Sequence, residues 1–310
     1  MGRITLLAAA SALLLVAAPA QAKSLFGFRH DEAKPAAVAA PDTAAANAAV
    51  TATQQALDEQ RYADAGELLD RALASGMTDP RLVLLTGELY LARERYDDAV
   101  TSFTAARAAP ALFARASAGL GIAQSGLGRS PQAIAALREA TASDPTQWRA
   151  WNALGVEYDR QKNWSQAEDA YAQALKSSSA GAMVYNNRGY SRMLQGRYAE
   201  ASADFVTALD RDPGFAVART NLRLSLAVRG EYDRATSASG AEDRAAVLNN
   251  AGFAAMMRGD LPEARDLFQQ AIAARGKFYG KAQENLELAE GMMAHAKETA
   301  APAVAPVGQP

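Results

Sequence analysis

Small and large apolar residues recur along this chain at a fixed interval. Ala65, Ala99, Ala133, Ala167, Ala201 and Ala235 lie 34 residues apart, and Ala264 follows five residues early. A period of that length suits two short helices joined by tight turns. Such pairs bury their apolar faces by stacking on one another. In one phase the units begin at 46, 80, 114, 148, 182, 216 and 245, with a partial unit from 279. The eighth position holds Gly87, Gly121, Gly155, Gly189 and Gly252, interrupted by Thr53 and Arg223; the twenty-seventh holds Ala72, Ala106, Ala140, Ala174, Ala208 and Ala271. Small residues at fixed places on two successive helices let their backbones approach closely. Bulk fills the complementary places: Tyr62, Tyr96, Trp164, Tyr198 and Tyr232 at the seventeenth, and Leu69, Phe103, Leu137, Tyr171, Phe205 and Phe268 at the twenty-fourth. Pro145 and Pro213 are expected to end second helices, since proline cannot continue the hydrogen-bond ladder.

The unit from 216 breaks the rhythm. Its first helix is well patterned, but Thr236-Ser237-Ala238-Ser239-Gly240 is poor helix material, so a shortened second helix is expected. A tolerated deletion or a bend in the superhelix would each account for it. Residues 279–296 form one more amphipathic helix (Leu286, Leu288, Met292, Met293), expected as a cap over 279–298.

The unit from 148 carries Trp151, Leu154, Gly155, Tyr158, Ala167, Tyr171 and Ala174, and in these residues it resembles the tetratricopeptide repeat (TPR) family. The resemblance covers about 46–298. It implies an all-α, right-handed solenoid of about seven helix–turn–helix repeats with a C-terminal capping helix. It also implies that the second, fifth, sixth, ninth, twelfth and thirteenth positions of each first helix line a concave groove.

At those positions stand Asn152, Asn186, Asn187, Asn221, Asn249 and Asn250, with Asn285 one place later in the cap. An amide side chain both donates and accepts, so a ladder of asparagines one repeat apart could hold a peptide backbone without demanding a sequence. Bonding a neighbouring helix is the alternative use. Beside them come Tyr190, Met193, Leu224, Phe253, Met256 and Met257, which either present an adaptable apolar surface or pack internally. Arg149, Asp159 and Arg160 are expected as a polar rim, and the stretch 149–257 as the binding surface. The lysine and arginine set that clamps a C-terminal carboxylate in chaperone-binding TPR domains is not present.

Composition narrows the picture. The formal net charge is −2 over 310 residues, which leaves no electrostatic footprint for nucleic acid. The two histidines, His30 and His295, are too few for a metal cluster or an acid–base pair, and neither H-E-x-x-H nor G-x-S-x-G occurs. Gly119, Gly121, Gly126 and Gly128 lack the Lys-Ser/Thr of a phosphate loop; Gly121 reads as helix packing, Gly126 to Gly128 as a turn. Glu67, Asp97, Asp98, Glu168 and Asp169 read as a solvated outer face. No catalytic residues, metal or cofactor are therefore expected.

At the start, Met1-Gly2-Arg3, an apolar run to Ala18 and Ala20-Gln21-Ala22 read as a cleaved signal peptide over 1–22, and so as export to the periplasm. An uncleaved anchor is the alternative, although the run is short of a membrane span. Residues 23–45 read as an Ala/Pro-rich tether in which Ser24-Leu25-Phe26-Gly27-Phe28-Arg29 is the one apolar stretch, and 299–310 as a disordered tail. Without cysteine there is neither a disulfide nor a lipoprotein anchor, and no stable membrane insertion is expected after cleavage. The stretch Asn221-Leu222-Arg223-Leu224-Ser225-Leu226-Ala227, then Gly230-Glu231-Tyr232-Asp233-Arg234-Ala235, a shortened helix, and Asn249 to Ala264 resembles the TPR proteins of Tad (Flp) pilus assembly. That resemblance implies a scaffold with protein or peptide partners such as a secretin or pilus-assembly components. Many proteins of that group carry a lipoprotein cysteine and this chain does not. A periplasmic chaperone or coordinator of cell-wall or outer-membrane assembly is the alternative.

Overall fold

A computed structural model describes residues 43–177, 180–237, 244–275 and 279–300, with side chains to 297. The expected signal peptide, most of the tether and residues 301–310 of the C-terminal tail lie outside the described residues, while Thr299 and Ala300, read above as tail, belong to the last helix. Thr43–Ala45, read above as tether, instead belong to the first helix.

Antiparallel helix pairs follow one another: α1 (Thr43–Asp58) with α2 (Tyr62–Ala74), α3 (Pro80–Ala92) with α4 (Tyr96–Ala106), α5 (Phe113–Gly126) with α6 (Ser130–Ser143), and α7 (Trp148–Arg160) with α8 (Trp164–Ala174). The series continues through α9 (Ala182–Leu194) with α10 (Tyr198–Arg211), α11 (Ala216–Val228) with α12 (Tyr232–Thr236), α13 (Arg244–Arg258) with α14 (Leu261–Arg275), and ends in α15 (Gly280–Ala300). A 3-10 turn at Pro110–Leu112 leads into α5. Among the described residues there is no strand.

The glycines at the eighth position are demanded by space. A Cβ on Gly155 would stand 2.5 Å from the Tyr171 ring, and one on Gly121 2.5 Å from Leu137. The same holds for Gly87 with Phe103, Gly189 with Phe205 and Gly252 with Phe268. Each first helix thus rests its bare backbone on the large residue of its own second helix. The exceptions are informative. α12 ends at Thr236, before the twenty-fourth position of its repeat, and the eighth position there is Arg223 rather than glycine. Gly126, read above as part of a turn, is the last residue of α5, where the Tyr96 ring would lie 2.6 Å from a Cβ.

The turns also repeat. The fifteenth position is left-handed in repeat after repeat, as at Gly128 (φ 71°) and Gly196 (φ 77°), and even at Gln60, Glu94 and Lys162. Arg95 N–H then bonds Tyr90 C=O and Glu94 N–H bonds Leu91 C=O, closing the helix end with the carbonyls it would otherwise leave unpaired. α6 and α10 stop two residues before Pro145 and Pro213, because a residue preceding proline avoids the helical region. Asp144 and Asp212 are extended there, and their carboxylates accept from the N–H of Thr146 and Gly214, both at 2.9 Å.

The core runs along the chain as a series of clusters, each spanning neighbouring repeats. Leu137, Leu154, Tyr171 and Val184 belong to one; Leu226, Leu248, Phe268 and Leu286 belong to another. The latter includes residues of α15, which therefore covers the last repeat. Counted from 280, the eighth position of α15 is exposed Glu287, where earlier first helices carry glycine against a ring. A helix packed there would bury that charge.

Two glycine replacements with opposite outcomes test this account. Gly155→Ala should destabilise by about 1–3 kcal/mol, because the added methyl overpacks Tyr171. Gly291→Ala, on α15 with nothing within 4 Å of the added carbon, should stabilise by about 0.5–1 kcal/mol. Urea unfolding of both variants reads the signs.

Candidate functional site

The sequence-predicted asparagines meet one another. Asn221 Nδ2 donates to Asn186 Oδ1 at 2.9 Å, Asn186 donates to Asn187 at 3.3 Å, and Asn187 donates to Asn152 at 3.1 Å. A second segment joins α15 to α13, with Asn285 donating to Asn249 at 3.0 Å. Asn152, Asn186 and Asn249 are buried, Asn187 and Asn221 half-buried, and Asn250 exposed. The ladder thus runs from one first helix to the next as an internal spine, the alternative use left open by the sequence.

Its register fixes α15 as well. Asn285 occupies the sixth position only if the cap is counted from 280, so Leu288 and Met292 take the ninth and thirteenth. With that phase, six of the eight exposed large apolar side chains among the described residues fall on groove positions of first helices: Met183, Val217, Phe253, Met257, Leu288 and Met292. The other two, Leu73 and Val206, lie on second helices. Half-buried Tyr190, Met193 and Leu224 fill the spaces between. Met256 does not belong to this surface. It is 4% exposed, packed in the core cluster with Leu248 and Phe268, because the twelfth position of α13 turns inward.

The expected polar rim is divided. Asp159 accepts from Tyr171 Oη (2.8 Å) and Ser191 Oγ (2.6 Å), joining α7 to α8 and α9. Burial pushes its carboxyl above the usual range, only partly offset by those two bonds. Arg160 pairs with fully buried Glu157 at 2.7 Å, which also accepts from Ser130 (2.5 Å) and Ser125. Both residues fasten repeats together. Arg149 alone projects outward, its guanidinium 5.3 Å from the centre of the Trp148 ring.

Glu168 is a correction. It is not a solvated outer carboxylate, but pairs with Arg192 (2.5 Å) and Arg197 (3.1 Å) on the following repeat. Arg192 and Arg188 in turn hold the buried Asp204 at 2.9 and 2.6 Å. Burial opposes the charge on Glu168, yet the Arg192 hydrogen bond and the surrounding guanidinium charges outweigh it and keep its pKa below the ordinary value. Nothing in the 34-residue pattern marked this network, because its members occupy different positions in successive repeats.

A feature missed in the sequence lies on the inner side of α1, α3, α5 and α7. There a cleft of about 320 Å³ is lined by Leu57, Leu91, Ala118, Gly119 and Ile122, among others. It opens where the fifth and sixth positions of α5 shrink to alanine and glycine. Among the described residues no group of three or more His, Cys, Asp or Glu is placed to hold a metal, and no helix is long and apolar enough to cross a membrane.

Antiparallel helix pairs stacked with an open inner face define a helical-repeat protein, a fold that serves protein–protein interaction. The tetratricopeptide repeat profile matches residues 51–112, 84–146, 119–182 and 152–216, together more than half of the chain. The chain belongs to the tetratricopeptide repeat family. The matches end where the regular spacing ends, at the start of α11. Solved structures agree on the fold. The C-terminal part of a TPR repeat-containing protein from Cytophaga hutchinsonii is 16% identical, over 76% of this chain and 99% of that one, with a TM-score of 0.53. A thermophilic TPR protein of Thermus thermophilus is 20% identical, over 58% and 98%, at 0.51. Cut9–Hcn1, a hetero-tetramer of the APC/C, gives 16%, 78% and 46%, at 0.52. No curated protein matches the sequence significantly.

Two measurements follow from the polar contacts. Asn186→Ala leaves the Asn221 donor and the Asn187 acceptor unpaired and should cost about 1–3 kcal/mol in urea unfolding. Glu168 has a folded pKa below its unfolded one, so its stabilisation is present above the unfolded value of 4.5 and lost as pH falls through the folded pKa. Glu168→Gln should therefore melt below the wild type at pH 7, with the gap narrowing steadily toward pH 3.

Proposed function

We propose that this protein is a non-catalytic periplasmic scaffold whose inner face on α9, α11, α13 and α15 binds polypeptide partners during assembly of a Tad (Flp)-type pilus or secretion apparatus. The observation that carries the binding surface is the gathering of exposed apolar side chains at the second, ninth and thirteenth positions of successive first helices. A band of methionine and phenylalanine left partly open to water is a surface that a partner can cover, and methionine adapts to partners of varied shape. The groove comprises Asn250, Met183, Tyr190, Met193, Val217, Leu224, Phe253 and Met257, with α15 extending it, while Asn152, Asn186, Asn187, Asn221 and Asn249 hold the helices behind it in register.

The periplasmic reading rests on the charged start, apolar run and Ala20-Gln21-Ala22 of the N-terminal sequence. The pilus reading rests on the motif stretch from Asn221 to Ala264, and the short α12 agrees with the shortened helix of that stretch.

Photo-crosslinking in the native cell from a light-activated residue at 190, with mass spectrometry of the adducts, tests the proposal. A secretin or pilus component is expected, from the periplasmic fraction, and Phe253→Asp should reduce its yield at least tenfold while circular dichroism stays unchanged. A broad set of unrelated envelope proteins would replace the pilus role with a general chaperone. No adduct at all would remove this face from the account.

A further inference from the structure

The cleft on α1, α3, α5 and α7 has a chemistry unlike the apolar band. Its floor is Leu57, Leu91 and Ile122, and its depth comes from Ala92, Ala118 and Gly119. Gly119 cannot gain a side chain, since a Cβ would stand 2.4 Å from the Phe103 ring, so the hollow is fixed by core packing. A second hollow of about 490 Å³ shares Gln54, Asp58 and Arg115 and prolongs the trough over α1 toward Glu59.

The charges along this trough separate into satisfied and available ones. Arg115 donates through Nε and Nη2 to the Glu88 carboxylate, both at 2.7 Å, and through Nη2 to Gln54 at 2.6 Å. That set is closed and acts as a wall. Arg149, at the α7 end, is exposed and makes no ion pair among the described residues. At the α1 end, exposed Asp58 accepts from Gln54 at 2.9 Å and likewise makes no ion pair there. The trough is therefore basic at one end and acidic at the other, with an apolar floor beside the Arg115–Glu88 wall.

We propose that this cleft is a second binding site, for a polypeptide segment that seats one large apolar side chain over Leu91 and Ile122, turns a carboxylate toward Arg149 and a cationic side chain toward Asp58. It rests on the reading of the inner face as a polypeptide-binding surface. Four first helices spaced roughly 8–10 Å apart span about 25–30 Å, the reach of about eight or nine extended residues. Opposed charges at the two ends fix the direction in which the segment lies, because the reverse direction sets like charges together.

The test is selection of random 12-residue peptides on the immobilised full chain, followed by affinity measurements on the winners. Enriched peptides should carry Trp, Phe or Leu between an acidic and a basic residue. Their affinity should fall at least tenfold on Ala92→Trp, which fills the cleft from an exposed helix position, and on Arg149→Glu. Replacing the acidic residue of the peptide by lysine should restore binding to Arg149→Glu. Winners that bind Ala92→Trp and Arg149→Glu as well as the wild type overturn the proposal, as does the absence of any peptide enriched on the wild type over Ala92→Trp. Winners lost on Phe253→Asp but indifferent to both cleft variants leave the groove reading standing and remove the cleft. Circular dichroism of each variant confirms that it is folded.

Discussion

The close seating of a glycine on the ring or leucine of the helix beside it sets the geometry from which the rest of this molecule follows. A first helix without a side chain at that point drops onto Phe103, Leu137, Tyr171, Phe205 or Phe268, and a second helix held so near leaves each repeat thin. Thin repeats expose one apolar edge, which only the next repeat can cover. In one repeat the glycine is missing and the second helix is short as well. Arg223 stands at the corresponding place, and its second helix has shrunk to Tyr232–Thr236.

A core so rich in alanine buries little apolar area per residue, since burial stabilises in proportion to area. Polar contacts between repeats supplement it. The asparagine spine, buried Glu157 between Ser125, Ser130 and Arg160, and the Arg188, Arg192, Glu168 and Asp204 network each join a helix to the following repeat. Such groups are costly when unpaired, so they fix the spacing and rotation of successive repeats more sharply than methyl groups sliding on methyl groups can.

Fixed stacking gives the inner face its meaning. Side chains thirty-four residues apart become neighbours, and a chain of ordinary composition acquires a long surface with sections of different character. Toward the N-terminus the section is narrow, charged at its ends and hollow; toward the C-terminus it is shallow, apolar and rich in methionine. A scaffold that engages two such sections of one partner, or two partners at once, gains selectivity from the linkage.

The repeat itself was legible in the amino-acid order, because the seating of Gly155 on Tyr171 requires one residue type at each of two places and repeats at a fixed distance. The same pattern located the helices, the short α12 and the helix that covers the end. Three-dimensional structure decided what each inward-facing residue does. Asparagines with equal reason to hold a peptide or one another turned out to bond across repeats, and Met256 fell into the core while Met257 beside it faces water. Glu168, indistinguishable by spacing from a solvated acid, sits among arginines of the following repeat. The cleft had no signature, since it is made of volume left empty by Ala118 and Gly119 rather than of any group that is present. Periodicity is a property of covalent order and survives without coordinates; pairing and emptiness depend on the rotation between neighbouring helices, which no single repeat encodes.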